Sequence, residues 1–206
     1  MKLEGQKGVQ TLGSGAYGPL RLMADGALAT RNIGGQYYDA VSRGNVYSAA
    51  NQTGRVWSVG LDTTYTGLCL SNPNGSGKNL SILSVSHQEV VAPAGIAAVY
   101  LAGEHSATDV THTTALTIYR MNLGATAEAS VATADREATL PTAPKILLNL
   151  TAGHTSAALS EGADIATVDI GGLIVIEPGG YLIIANFTIG KAVGQMGAIV
   201  WEEVDI

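Results

Sequence analysis

The chain holds a single cysteine, Cys69, in 206 residues, so no intrachain disulfide can staple it. Leu68 and Leu70 flank it in an apolar, strand-like run, where a thiol behaves as a small hydrophobe. A nucleophilic role would need a base beside it, and no nucleophile signature surrounds it. Aromatic residues make up only 5% of the chain, with one Phe, so a core has to be assembled from Leu, Ile, Val and Ala. Charged residues are only 14%, which leaves little equipment for acid–base chemistry. Hardly any stretch reads as an amphipathic helix, and no run approaches the ~18–20 apolar residues of a membrane span. Met1-Lys2-Leu3-Glu4-Gly5 leads into polar and Gly residues instead of an apolar export segment, so a chain made in a cytoplasm is expected. Sequons such as those at Asn51, Asn79, Asn149 and Asn186 then belong to a Thr-rich strand composition.

What is present is packable surface. Hydrophobic residues are 46% and mean hydropathy is +0.21, enough for a sizeable core and outside the disordered class. The net charge of −6 is unevenly spread. Residues 1–53 carry Lys2, Lys7, Arg21, Arg31 and Arg43 against Glu4, Asp25 and Asp39. Residues 54–206 carry six basic against fourteen acidic side chains, a net of −8. So acidic a body does not bind nucleic acid directly; the basic front suits an acidic protein surface.

Residues 1–16 are Gly-rich with few bulky apolar side chains, a stretch expected to be held by a partner subunit or by docking onto the chain's own body. Tyr17 to Met23 reads as a short extended segment, followed by turns at Ala24-Asp25-Gly26 and Arg31-Asn32-Ile33-Gly34-Gly35. Tyr37, Tyr38 and Tyr47 cluster with Arg43 around the turn-like Gly44-Asn45. Tyrosine joins a large apolar face to a hydrogen-bonding tip, which suits an interface or the edge of the chain's own sheet.

From residue 54 strand signals are steady. Arg55 to Val59 alternates, with Trp57 opposite Val56 and Ser58. Strands are expected at Thr63–Leu70, Leu80–Val91, Ile96–Gly103, Thr114–Leu123, Lys145–Thr151, Ala166–Ile170, Leu173–Ile176, Tyr181–Asn186 and Met196–Val204. Asn72 to Gly77 and Glu177-Pro178-Gly179-Gly180 are turns, the second of type II because Pro and Gly fill its central positions. Ala125 to Arg136 fits a strand, a loop or a short helix. Eight or nine strands at this spacing, with no fixed repeat, point to a sandwich and not to a solenoid or propeller.

Chemical motifs are weak. Gly75-Ser76-Gly77-Lys78 fails as a phosphate loop: Asn72 stands where the leading Gly belongs, and a strand follows instead of a helix. His105, Asp109 and His112, with Glu104 adjacent, offer nitrogen and oxygen ligands on one polar loop, but at no recognised zinc spacing. Glu203 and Asp205 share a face by alternation; a solvated strand end is expected there. No Gly-X-Ser-X-Gly elbow occurs. The expectation is a non-enzyme without cofactor.

Leu20-Arg21-Leu22-Met23-Ala24-Asp25-Gly26 and Gly35-Gln36-Tyr37-Tyr38-Asp39-Ala40-Val41-Ser42-Arg43-Gly44-Asn45-Val46-Tyr47-Ser48 resemble a recurrent N-terminal module of tailed-bacteriophage virion proteins. Thr64 to Pro73, with Gly77-Lys78-Asn79-Leu80, looks like the same proteins. These segments cover about a quarter of the chain. The rest is similar in style to the Gly/Ala/Thr-rich jelly rolls of capsid decoration (cement) proteins and head fibres. The resemblance carries no catalytic residues.

The expected fold is all-β: a jelly-roll-type antiparallel β-sandwich over 54–206, preceded by an extended N-terminal arm over 1–53. The resemblance implies a virion structural protein, first a decoration protein that binds the head shell through its arm. Leu22, Arg31, Tyr37, Tyr38, Arg43 and Tyr47 are the expected contacts with the major capsid protein or other virion proteins. A homo-oligomer is implied, trimer before dimer, with no membrane partner. The alternative is a head-fibre or tail protein whose sandwich binds a receptor or glycan, for which exposed aromatic stacking faces would speak. Trp57 and Trp201 both fall in strand-like segments, which favours their burial.

Overall fold

The computed structural model describes residues 35–89, 97–124, 129–153, 165–188 and 194–206. The chain divides into two units, Met1–Asp39 and Ala40–Ile206. One short helix, α1 (Tyr38–Arg43), precedes twelve strands. These are β1 (Val46–Ala50), β2 (Thr64–Ser71), β3 (Lys78–Glu89), β4 (Ala97–His105), β5 (Thr111–Ala115) and β6 (Ile118–Arg120). They continue as β7 (Thr133–Thr139), β8 (Lys145–Gly153), β9 (Ile165–Asp169), β10 (Val175–Ile176), β11 (Gly180–Thr188) and β12 (Gln195–Asp205). No helix among the described residues is long and apolar enough to cross a membrane.

The strands form two antiparallel sheets packed as a sandwich. The first runs β10-β3-β12-β1-β6, with β9 also paired to β3. The second runs β5-β7-β2-β11-β4-β8. Eight strands carry jelly-roll wiring: β1-β12-β3-β9 in one sheet face β2-β11-β4-β8 in the other. Along these eight strands the chain therefore changes sheet at every step except from β4 to β8. The segment β5–β7 is an insertion between β4 and β8 that widens both sheets at one edge.

Side-chain alternation builds the core. On β12, positions Gln195 through Glu203 alternate buried and half-buried. Trp201, Ile199, Ile82 and Val85 face Leu68, Leu70, Leu101, Leu182 and Ile184 between the sheets. Each such fully buried side chain contributes about 1.5–3 kcal/mol relative to an exposed one. The second sheet is covered on its outer face as well, where Tyr65, Cys69, Tyr100 and Ile183 pack with Val110 and Leu140. That double coverage explains why β11 reads Leu-Ile-Ile-Ala without alternation: every residue from Tyr181 to Asn186 is buried.

Four expectations change. Arg55–Val59 forms no strand and meets the sheets only through isolated bridges, Arg55 to Gln195 and Val59 to Asn186. β1 falls within the arm expected over 1–53, but it lies between β12 and β6 inside the first sheet. Thr114–Leu123 is not one strand: β5 pairs in the second sheet and β6 in the first, so the chain crosses between sheets at Leu116-Thr117. Within Ala125–Arg136, residues 129–132 lead into β7, and residues 125–128 lie outside the described residues. The turn at Glu177–Gly180 is as expected: Gly180 N–H donates to Glu177 O at 2.9 Å and Gly179 has φ of 87°.

Candidate functional site

The six expected contact residues separate. Leu22 and Arg31 lie outside the described residues. Tyr37 is half-buried, Tyr38 is 56% exposed, and Arg43, in the last turn of α1, is exposed. Tyr47 is 4% exposed and belongs to the core, so it is corrected from an interface anchor to a packing residue. Its place follows from β1, whose register sets Tyr47 opposite Trp201. Trp57 and Trp201 are also core residues, 2% and 0% exposed, and neither offers a stacking face to a sugar.

The polar loop after β4 does not converge. His105 Nε2 lies 3.0 Å from Pro178 O. Asp109 accepts from the backbone N–H and the side-chain amide of Asn74, each at 2.8 Å, and so ties this loop to the β2–β3 turn. His112, on β5, turns to β7 instead. No group of three or more metal-binding side chains converges among the described residues.

On β7 and β5 the structure assembles a hydrogen-bonded series that spacing does not announce. Asp135 is 1% exposed and its Oδ2 contacts His112 Nδ1. His112 Nε2 lies 3.1 Å from Thr133 Oγ1, which lies 2.7 Å from Ser71 Oγ. The β2–β7 register places Cys69 opposite Asp135 and Ser71 opposite Thr133, which brings these residues to one face. Burial pushes the Asp135 carboxyl above its usual range, and the His112 contact offsets part of that rise. The order carboxylate, imidazole, hydroxyl is that of a nucleophile relay. Here the hydroxyl at its end is shared with a second, buried hydroxyl, and the series partners only one oxygen of the buried carboxylate, Oδ1 having no hydrogen bond. Cys69 beside it is inert: burial first, and the Asp135 charge second, push its thiol far up.

Next along β7, Glu137 accepts from Thr114 Oγ1 at 3.0 Å and pairs with Arg55. These hydrogen bonds, Thr114 before Arg55, hold its carboxyl below the usual range. Glu203 departs from the solvated strand end expected of it. It is 2% exposed, and its Oε1 accepts from Ser130 Oγ at 2.5 Å and Val131 N–H at 2.9 Å. Lys78 Nζ stands 3.4 Å from its other oxygen. The buried carboxylate thus pins the chain entering β7 to the last strand, while Asp205, with an 89% exposed side chain, remains in solvent.

At the edge formed by β8 and β10, opposite the insertion, a cleft of about 300 Å³ opens. Leu147, Ile174, Val175, Ile176 and Leu182 give it an apolar wall, with Glu104, Lys145, His105 and Glu177 also lining it. Lys145 Nζ pairs with Glu104 Oε2 at 2.5 Å, and that hydrogen bond holds the Glu104 carboxyl below the usual range. Gly103 is required in this wall: a Cβ there would stand 2.5 Å from Tyr181 O. Sequence reading missed the cleft; its one signal was Leu173-Ile174-Val175-Ile176, an apolar run of which only Val175–Ile176 is strand.

No family model, no curated protein and no solved structure matches this chain.

Proposed function

We propose that this chain is a virion structural protein of a tailed bacteriophage, a decoration protein that binds the head shell through its N-terminal segment. The observation that carries the reading is the exposure of Tyr38 and Arg43, two of the expected contact residues. Among the described residues the buried hydrophobic core begins at Val46. Residues 1–43, with Leu22, Arg31, Tyr37, Tyr38 and Arg43, supply apolar and cationic contact to the shell; Tyr47 leaves that set. Many weak contacts over one particle add by multivalency. The resemblance of residues 20–26, 35–48, 64–73 and 77–80 to phage virion proteins supports the same reading, whereas the jelly roll by itself hosts many functions. The burial of Trp57 and Trp201 weighs against the glycan-binding alternative.

Co-sedimentation with capsids stripped of this chain tests the proposal. The full chain is expected to pellet with the particles and residues 40–206 to stay in the supernatant. Full decoration by 40–206 overturns the role of the N-terminal segment.

A further inference from the structure

The turn between β2 and β3 carries the chain's single Asn-Gly step, Asn74-Gly75. Pro73 O accepts from Ser76 N–H at 3.2 Å, so Asn74 and Gly75 are the central residues of a β-turn, with Gly75 left-handed at φ of 78°. Both residues are exposed.

The Asn74 side chain joins three loops. Its Nδ2 donates to Asp109 Oδ1 at 2.8 Å and to Ala107 O at 3.1 Å, both in the loop after β4. Its Oδ1 lies against Gly179 of the β10–β11 turn, 2.7 Å from where a Cβ would stand. Backbone bonds complete the junction: Ser106 N–H donates to Gly179 O at 3.0 Å, and Gly179 N–H to Asn72 O at 2.7 Å.

The same side chain is chemically vulnerable. The backbone nitrogen of the following residue can close a ring on an asparagine Cγ, and glycine, with no Cβ, hinders that approach least. Among the described residues the Gly75 N–H donates to no acceptor, and nothing lies within 4 Å of its Cβ position. Asn72 provides the contrast. It precedes Pro73, whose nitrogen carries no hydrogen and cannot close the ring.

We propose that Asn74 is a site of spontaneous deamidation and that the product carboxylate loosens the three-loop junction. The Gly75 nitrogen attacks Asn74 Cγ and gives up its proton; the Cγ–Nδ2 bond breaks and ammonia leaves. Water then opens the succinimide at either carbonyl, leaving aspartate or isoaspartate at position 74. In the aspartate form an acceptor replaces the donor that Asp109 Oδ1 and Ala107 O shared, and one of those neighbours carries like charge. In the isoaspartate form the main chain also gains a carbon inside the turn. The change is one-way and needs no enzyme, so it records the age of the chain. It is independent of shell binding.

The test incubates the full, folded chain at mildly alkaline pH and follows it by tryptic mapping and mass spectrometry. Arg55 and Lys78 bound a peptide, residues 56–78, whose asparagines are Asn72 and Asn74. The amide-to-acid mass gain is expected at Asn74 and not at Asn72, as separable aspartate and isoaspartate forms. Gly75→Ala should slow it severalfold. Asn74→Asp, made directly, should unfold at a lower temperature than the wild type. Because Asn74 and Asp109 are exposed, that loss should shrink in high salt. Adding Asp109→Asn to Asn74→Asp should recover it, since an amide again faces a carboxylate. No gain at Asn74 in the folded chain, an equal gain at Asn72, or an Asn74→Asp protein as stable as the wild type would each overturn the proposal.

Discussion

Tyr47 and Trp201 face each other across the β1–β12 pair, their rings stacked with centroids 6.2 Å apart and planes inclined by 24°. The contact ties the first strand of the jelly roll to the last, so a residue close to the N-terminal segment is part of the core. Tyr47→Ala should cost about 3–5 kcal/mol, the range for truncating a buried aromatic side chain. Tyr38→Ala, at an exposed position, should change stability by no more than about 0.5 kcal/mol. Urea unfolding of both variants checks the contrast; equal effects would contradict the placement of Tyr47.

The boundary of the body follows from the same strand. A chain of residues 40–206 keeps β1 and should unfold cooperatively. A chain of residues 54–206 lacks β1, leaves β12 and β6 without their shared neighbour, and removes Tyr47 from above Trp201. It should fail to fold or should aggregate through the opened edge. Thermal unfolding of the two fragments reads the difference directly.

The turn joining β10 to β11 depends on one glycine. Gly179 has φ of 87°, and a Cβ there would meet Ser106 O at 2.5 Å and Asn74 Oδ1 at 2.7 Å. Gly179→Ala combines the left-handed backbone cost of roughly 1–2 kcal/mol with a backbone clash. The expected loss is therefore at least that large in urea unfolding. Gly75→Ala has an equally positive φ, 78°, but open space around its Cβ, and should cost less.

Asp135 gives the protein a pH signature. Its carboxyl is raised by burial, and His112 offsets only part of the rise. A group raised in the folded state contributes stability that is full below its unfolded pKa, about 3.9, and is lost as pH rises through the folded value. Asp135→Asn cannot titrate. The stability of the wild type relative to this variant should thus fall as pH is raised from about 3 to about 7. Denaturant midpoints across that range check the sign; a relative gain for the wild type would mean that the His112 contact outweighs burial.

Much of the fold was legible because the strands carry their signals locally. Thr64–Ser71, Lys78–Glu89, Gly180–Thr188 and Gln195–Asp205 lie within a few residues of the segments expected from apolar runs and flanking turns. β7 was ambiguous because Ala-Asp-Arg-Glu-Ala shows no apolar alternation. Its carboxylates are held by His112, Thr114 and Arg55, partners from other parts of the chain that no spacing rule joins. Glu203 reads as solvated for the same reason: Ser130 and Val131, which bind it, are remote in sequence. Residues 46–50 read as arm because a short segment beside a tyrosine-rich turn looks like an interface until its pairing with β12 is seen.

The central claim is that this chain decorates a phage head through its N-terminal residues. Cryo-electron microscopy of the particle that carries it is the most direct test. The account predicts density for residues 1–43 running along the shell between capsid subunits, with Tyr38 and Arg43 at the contact and the jelly roll standing outward. Density for the chain at a tail or fibre tip, with its N-terminal residues buried in that attachment and the jelly roll distal, would contradict it.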